Sequence, residues 1–263
     1  MSVNSKMTAI ADKIRALLGI SGKIGLDAMA DNLGTAVEAC DSQAALIAQI
    51  RTALEGKAAG GSGGVVALDY ISTDALKSQA IDTGIKSTSN IAYEIQYSPT
   101  GGGASYWLYQ CIIGSDNYGN SYFPVCKNPT TNKVDAEYVA YSHNGVLFAH
   151  LGQDLMNVRT TLRKEGLNFI ITAENGFSTT FTHSGTTPEF ASDINIFLFG
   201  RGLYDYCSAK LYYCKIWDNG VLVRDFVPAI DRTVKPCLYD KVSKTYFYNE
   251  GTGDFGAGEL VSG

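Results

Sequence analysis

The sequence predicts a mainly β protein, an antiparallel β-sandwich preceded by a short α-helical N-terminal module. Three observations lead there. The 263 residues include Tyr 16, Phe 11 and Gly 28; aromatic side chains suit pleated surfaces, and glycine supplies the positive φ of tight turns. Asn-Gly and Glu-Gly pairs recur between short apolar runs, the signature of hairpins. A glycine-rich stretch, Gly56 to Gly64, separates a part with helical period from a part with strand period.

The helical part is read first. Met7, Ile10, Ala11, Ile14, Leu17 and Leu18 share one face of a 3.6-residue repeat, with Asn4 or Ser5 to cap the start and Gly19 to stop it. Leu26, Met29, Ala30 and Leu33 form a second stripe closed by Gly34. A third helix, about Ala36 to Glu55, has a different seam. Ala36, Cys40, Gln43, Ile47, Ile50 and Leu54 step by four and three, a heptad register. Isoleucine at both core positions favours trimers or tetramers, so Cys40, Ile47, Ile50 and Leu54 are the expected oligomerisation residues and a homotrimer the expected state. The competing reading is a helix packed within its own monomer. The expected organisation is therefore residues 1–56 as assembly module, 57–64 as flexible linker and 65–263 as sandwich.

Turn signals then place the strands. Asn144-Gly145 joins Tyr138–His143 to Val146–Ala149, and Asn219-Gly220 joins Lys210–Trp217 to Val221–Val227. Glu165-Gly166 and Asn175-Gly176 bracket Leu167–Thr172, and Val242-Ser243-Lys244 turns the last hairpin, Cys237–Lys241 to Thr245–Tyr248. In Lys210–Trp217, strict alternation puts Tyr212, Cys214 and Ile216 on one face and Leu211, Tyr213 and Trp217 on the other.

Composition narrows the function. A net charge of −5 argues against a nucleic-acid partner, which needs a basic face for phosphates, and against anionic membranes. The longest apolar runs are strand-sized, such as Ile194 to Phe199, so no transmembrane helix is expected. Met1-Ser2-Val3-Asn4 lacks the pattern of a secretory signal. The six cysteines lie too far apart for a disulfide-stapled scaffold and are expected reduced and buried.

Two stretches resemble a known family. Ala80-Ile81-Asp82-Thr83-Gly84-Ile85-Lys86-Ser87-Thr88-Ser89-Asn90 is similar to the opening strand of a concanavalin A-like, laminin-G-like domain. Leu211-Tyr212-Tyr213-Cys214-Lys215-Ile216-Trp217-Asp218-Asn219-Gly220, running through Arg224-Asp225-Phe226-Val227-Pro228 to Tyr246-Phe247-Tyr248-Asn249-Glu250-Gly251-Thr252-Gly253, resembles its closing strands and final Asn-x-Gly-Thr-Gly turn. Met7 to Arg15 with Leu26 to Ala30 is similar to leader segments of phage tail-associated proteins. The resemblance implies a concanavalin-like jelly-roll sandwich on a phage or prophage virion, made in the bacterial host cytoplasm, with other virion subunits and a bacterial surface glycan as partners. It implies no common ligand.

No enzymatic activity is expected. Glycosidases of this fold resemble one another in an E-x-D-x-x-E strand that aligns two carboxylates, and Asp135-Ala136-Glu137 is the nearest approach to it here. His143, His150 and His183 sit in no zinc spacing, and His143, just before a turn, is expected to be exposed. The string G-x-S-x-G occurs only inside the glycine linker, at Gly60 to Gly64, where no strand precedes it as a nucleophile elbow requires. No metal site or cofactor is expected, the nearest case being Asp116-Asn117-Tyr118-Gly119-Asn120, whose oxygens could gather calcium but lack the spacing of an EF-hand loop. The same stretch up to Tyr122, and Gly202-Leu203-Tyr204-Asp205-Tyr206, interleave tyrosines with Asn and Asp, as sugar sites do when rings stack on C–H faces and polar groups bond hydroxyls. Tyr118, Asn120, Tyr122, Tyr204, Asp205 and Tyr206 are therefore the expected ligand contacts. Adhesion to a glycan is the favoured function, with a purely structural virion subunit as the alternative and a glycan hydrolase behind both.

Overall fold

The computed structural model describes residues 65–101, 109–116, 119–127, 134–135, 138–143, 146–151, 154–183, 189–202 and 204–261. The helical module, with Cys40, Ile47, Ile50 and Leu54, lies outside the described residues.

From Val65 onward the described chain is mainly antiparallel strand, with a short 3-10 turn at Ala75–Lys77. The large sheet runs, in spatial order, Ser178–Thr182, Asn168–Ala173, Thr160–Glu165, Ile91–Gly101, Ser208–Asp218, Val221–Ile230, Pro236–Asp240 and Thr245–Phe247, with Val66–Ala67, Ile71–Ser72 and Gly256–Ala257 attached beside it. The second sheet runs Val146–Leu151, Tyr138–His143, Asn120–Phe123, Ile113–Gly114, Ala191–Leu198 and Ile81–Thr88. A small third sheet joins Tyr109–Gln110, Val125–Lys127 and Val134–Asp135. The expected sandwich is there, two antiparallel sheets face to face, and the strands of the expected hairpins lie within three residues of their expected bounds.

Aromatic rings fill the space between the sheets. Tyr97 of the large sheet meets Tyr122 of the second edge-on, with centroids 6.2 Å apart, and their hydroxyls lie 3.4 Å apart. Tyr141 of the second sheet packs on Phe169 at 4.7 Å and Phe181 at 5.6 Å. Rings in such tilted and edge-to-face pairs bury large areas and also gain from their quadrupoles. The four described cysteines with defined side chains, Cys111, Cys207, Cys214 and Cys237, are free and buried, small apolar filling in the same core.

The closing Asn-x-Gly-Thr-Gly turn works as a clasp. The Asn249 side-chain oxygen accepts from Ala80 N (3.1 Å) and Gly251 N (2.9 Å), while its amide donates to the Gly253 carbonyl (2.7 Å). Thr252 N and Oγ1 both donate to the Lys77 carbonyl. A Cβ on Gly251 would lie 1.8 Å from the Ser78 carbonyl oxygen, so glycine alone permits the approach. The end of the chain is thereby tied to its opening strand.

One strand departs from simple alternation. Between Ser208–Asp218 and Ile91–Gly101 the register shifts between Leu211 and Tyr213. This β-bulge puts Leu211 and Cys214 both in the core and leaves Tyr212 and Tyr213 both half-buried. The expected shared face of Tyr212, Cys214 and Ile216 is corrected accordingly: the inserted residue resets the period of two.

Lys164 is fully buried among these rings, with Nζ donating to the Ile91 carbonyl at 2.8 Å and lying 6.0 Å from the Phe169 centroid. Burial pushes its pKa down to about 8 from 10.5, because the charged form is desolvated. Below pH 8 both folded and unfolded chains carry this charge, and the fold bears the whole cost of burying it. From pH 8 to 10.5 the folded lysine is neutral and the cost fades. Lys164→Met is expected to stabilise the protein by about 1–3 kcal/mol at pH 7, an advantage that shrinks as denaturation is measured from pH 8 towards 10.5.

Candidate functional site

The loop after Ala191–Leu198 is shaped by left-handed residues: Phe199 (φ 63), Gly202 (φ 66) and Asp205 (φ 52). Backbone bonds staple it to the neighbouring segment, Phe199 N to the Ile112 carbonyl (2.8 Å) and Cys111 N to the Asp205 carbonyl (2.7 Å). Within the loop, Arg201 N donates to the Tyr204 carbonyl at 2.8 Å.

At its centre lies the Arg201 guanidinium. Nε donates to Asp205 Oδ2 at 2.8 Å, and Nη1 donates to Asp116 Oδ1 at 3.0 Å and to the Asp116 backbone carbonyl. The side chains of Arg201 and Asp205 are largely sheltered and that of Asp116 is half exposed. Arg201 thus joins the two tyrosine-bearing stretches singled out from the sequence, Asp116 to Tyr122 through Asp116 and Gly202 to Tyr206 through Asp205. Gly202 lets the two approach: a Cβ there would sit 3.3 Å from Asp116 Cβ, at a φ of +66. Over the guanidinium stands Tyr204, its ring centroid 5.9 Å from Arg201 Cζ and the residue 53% exposed. The chemistry on offer is an open aromatic ring next to a fixed cation and a half-exposed carboxylate.

The expected contacts divide. Tyr204 is at the surface, and Asp205 lies beneath it, nearly buried and spent on Arg201. Asn120 and Tyr122 are fully buried. Asn120 Nδ2 donates to Ser87 Oγ (3.1 Å) and the Thr88 carbonyl (2.7 Å), and Tyr122 meets Tyr97 in the core. Tyr206 packs with Ala75, Ala80 and Phe197. Tyr118 lies outside the described residues. Sequence reasoning missed Arg201; its signal was an arginine beside a Gly-x-Tyr-Asp turn, four residues before an aspartate. Asp116, expected to lead any calcium cluster, instead binds the Arg201 guanidinium, and among the described residues no group of three His, Cys, Asp or Glu is placed to hold a metal. Of the nearest match to a glycosidase strand, Ala136 and Glu137 lie outside the described residues.

Elsewhere a concavity of 350 Å³ opens where the turn at Ser89–Asn90 meets Glu189, Phe190, Asp218 and Asn219. Beneath it runs a buried polar chain. Ser115 Oγ donates to Ser87 Oγ (3.1 Å), which also accepts from Asn120, and Asn120 Oδ1 lies 3.3 Å from His143 Nδ1. The expected exposure of His143 is corrected: it is 3% exposed, because it shares the inner strand face with Tyr141 two residues before. Its ring meets His183 and Phe190 edge-on, at 5.7 and 5.1 Å.

No family model matches this sequence, and no curated protein does either. Among solved structures, a congerin II double mutant is similar with a TM-score of 0.30 and 9% identity, over 52% of this chain and 98% of that one. The described residues form a mainly β chain, two antiparallel sheets in a sandwich.

Burial, with Lys164 and His183 nearby, lowers the His143 pKa from 6.5 to about 4. Between these values the unfolded chain binds a proton that the folded chain refuses, so stability falls as pH falls through that window and the loss is complete below about 4. Denaturant titrations from pH 7 to pH 4 are expected to show a loss on the order of 3 kcal/mol, reduced in His143→Gln; an equal loss in the variant would assign it elsewhere.

Proposed function

We propose that residues 65–263 form a non-enzymatic carbohydrate-adhesion sandwich, carried on a phage or prophage virion and presented to a bacterial surface glycan. The observation that supports this most is Tyr204, a half-exposed ring over a guanidinium that two aspartates hold still. Sugars offer a C–H face for such a ring and hydroxyls for the carboxylate and guanidinium beside it. Because both loops are pinned by backbone bonds and by Arg201, little freedom is lost on binding.

A site of this size binds weakly by itself. Display on a trimer built by residues 1–56 would convert weak contacts into avidity, and the phage-tail likeness of that segment supports such a setting. Among the described residues, the exposed large aliphatic side chains Leu76, Ile194, Val221, Val242 and Val261 fall one each in different strands, turns and loop segments, which favours adhesion over a sandwich packed against other subunits.

Glycan-array binding of the full chain, followed by titration of the best glycan, tests the reading. Tyr204→Ala is expected to weaken binding by about tenfold or more while leaving the thermal midpoint in place, since the ring is at the surface. Undiminished binding by the variant, or no glycan bound by the native chain, overturns it.

A further inference from the structure

We propose that Tyr70, Tyr212, Arg159 and Lys210 form a second binding site, separate from the Tyr204 loop, that takes the carboxylate-bearing ring of an acidic saccharide.

The site originates in the β-bulge. By adding a residue between Leu211 and Tyr213, it turns Tyr212 out of the core in the middle of the longest strand pairing of the large sheet. Bulges that re-aim a side chain are over-represented next to functional sites. Lys210 points the same way, flanked by the buried Ala209 and Leu211. Tyr70, just before Ile71–Ser72, completes the patch: its ring meets Tyr212 edge-on, with centroids 5.9 Å apart and planes at 69°.

Each ring carries a cation. Arg159 Cζ lies 3.7 Å from the Tyr212 centroid, and Lys210 Nζ lies 4.3 Å from that of Tyr70. Both contacts are well within cation–π range. Arginine and lysine side chains normally lose much rotamer freedom on binding a ligand, and stacking on a ring removes that freedom beforehand. Arg159 pairs with the carboxylate of Glu174, with Nε to Oε1 at 3.6 Å and both side chains exposed. That separation is too long for a hydrogen bond, and an exposed pair of this kind is readily exchanged for another carboxylate.

Two preorganised cations call for an anion, and the surroundings limit which one. Nucleic acid needs an extended basic stripe, whereas this patch has two cations on a chain of net charge −5. The phenols of Tyr70 and Tyr212 beside them suit neighbouring hydroxyls. A sugar acid supplies both groups on one ring.

The test is calorimetric titration of the full chain with trigalacturonate and with 3′-sialyllactose, each against its neutral partner, the trigalacturonate methyl ester and lactose. A single-stranded DNA oligonucleotide serves as a polyanion control. At least one acid is expected to bind about tenfold or more tighter than its neutral partner and than the DNA, with Arg159→Gln and Lys210→Gln each losing about tenfold. Tyr212→Leu, which keeps an apolar wall, is expected to lose a similar factor, and Tyr204→Ala to lose nothing. The proposal is overturned if neither acid binds, if ester or DNA binds as well, or if the two cation variants bind like the native chain. Loss in Tyr204→Ala without loss in Lys210→Gln would return acid binding to the Tyr204 loop and likewise overturn it. Acid binding that survives Tyr204→Ala, with neutral glycans bound nowhere, would remove the adhesion reading of the loop and leave this site standing.

Discussion

The contact of tyrosine and phenylalanine rings across the two sheets is the constraint on which the rest of the structure depends. Tyr97 against Tyr122 and Tyr141 against Phe169 and Phe181 set the distance between sheets. Because interiors are close-packed, this spacing governs every inward position on the strands that carry the rings. It explains why Asn120 and His143 are inside. They share a strand face with Tyr122 and Tyr141 on neighbouring strands that pair directly, His143 opposite Asn120 and Tyr141 opposite Tyr122. Once the rings are in, their strand-mates are enclosed with them, and polar ones must find partners within. The chain from Ser115 through Ser87 and Asn120 to His143 is that requirement met.

The surface sites depend on the same framework by a different route. The Arg201 loop leaves the second sheet at Leu198 and is held by backbone bonds to Cys111 and Ile112, which flank the strand Ile113–Gly114. Its aromatic ring therefore stands on covalently short connections to the core. The Tyr70–Tyr212 patch stands on the large sheet itself, where a bulge interrupts the pairing. In both places a cation is immobilised before any ligand arrives, by two carboxylates in one case and by the face of a ring in the other. Immobilising a long charged side chain in advance is what makes a shallow surface selective.

Strands and turns were legible because their signals are local. Asn219 and Gly220 both have positive φ (49° and 79°), as a two-residue hairpin turn demands, and the dipeptide announces it. The closing turn was legible as a motif, although its reason, the approach of Gly251 to Ser78, is a contact between the two ends of the sandwich that no local pattern states. Which tyrosines face out was much less legible. Tyr122, Tyr204 and Tyr206 stand in similar polar company, yet only Tyr204 is well exposed. The deciding factors are the strand face and the left-handed turn at Asp205, both set by pairing with distant strands. The bulge at Tyr212 was invisible for the same reason: it is a mismatch between two strands, and alternation along one strand cannot reveal it. Arg201 was overlooked because its partners, Asp116 and Asp205, converge only through the fold.

Displaced proton affinities are a frequent mark of catalysis, and Lys164 and His143 are among the groups displaced here. Both displacements have burial as their first cause, and both residues are closed off from solvent by the aromatic core. A titratable group marks a reaction centre only where a substrate can touch it. In this sandwich Lys164 and His143 lie in the core, while Tyr204, Tyr212, Arg159 and Lys210 reach solvent. A binding surface needs shape, rings and fixed charges, and the two surface patches present a ring and a held cation each.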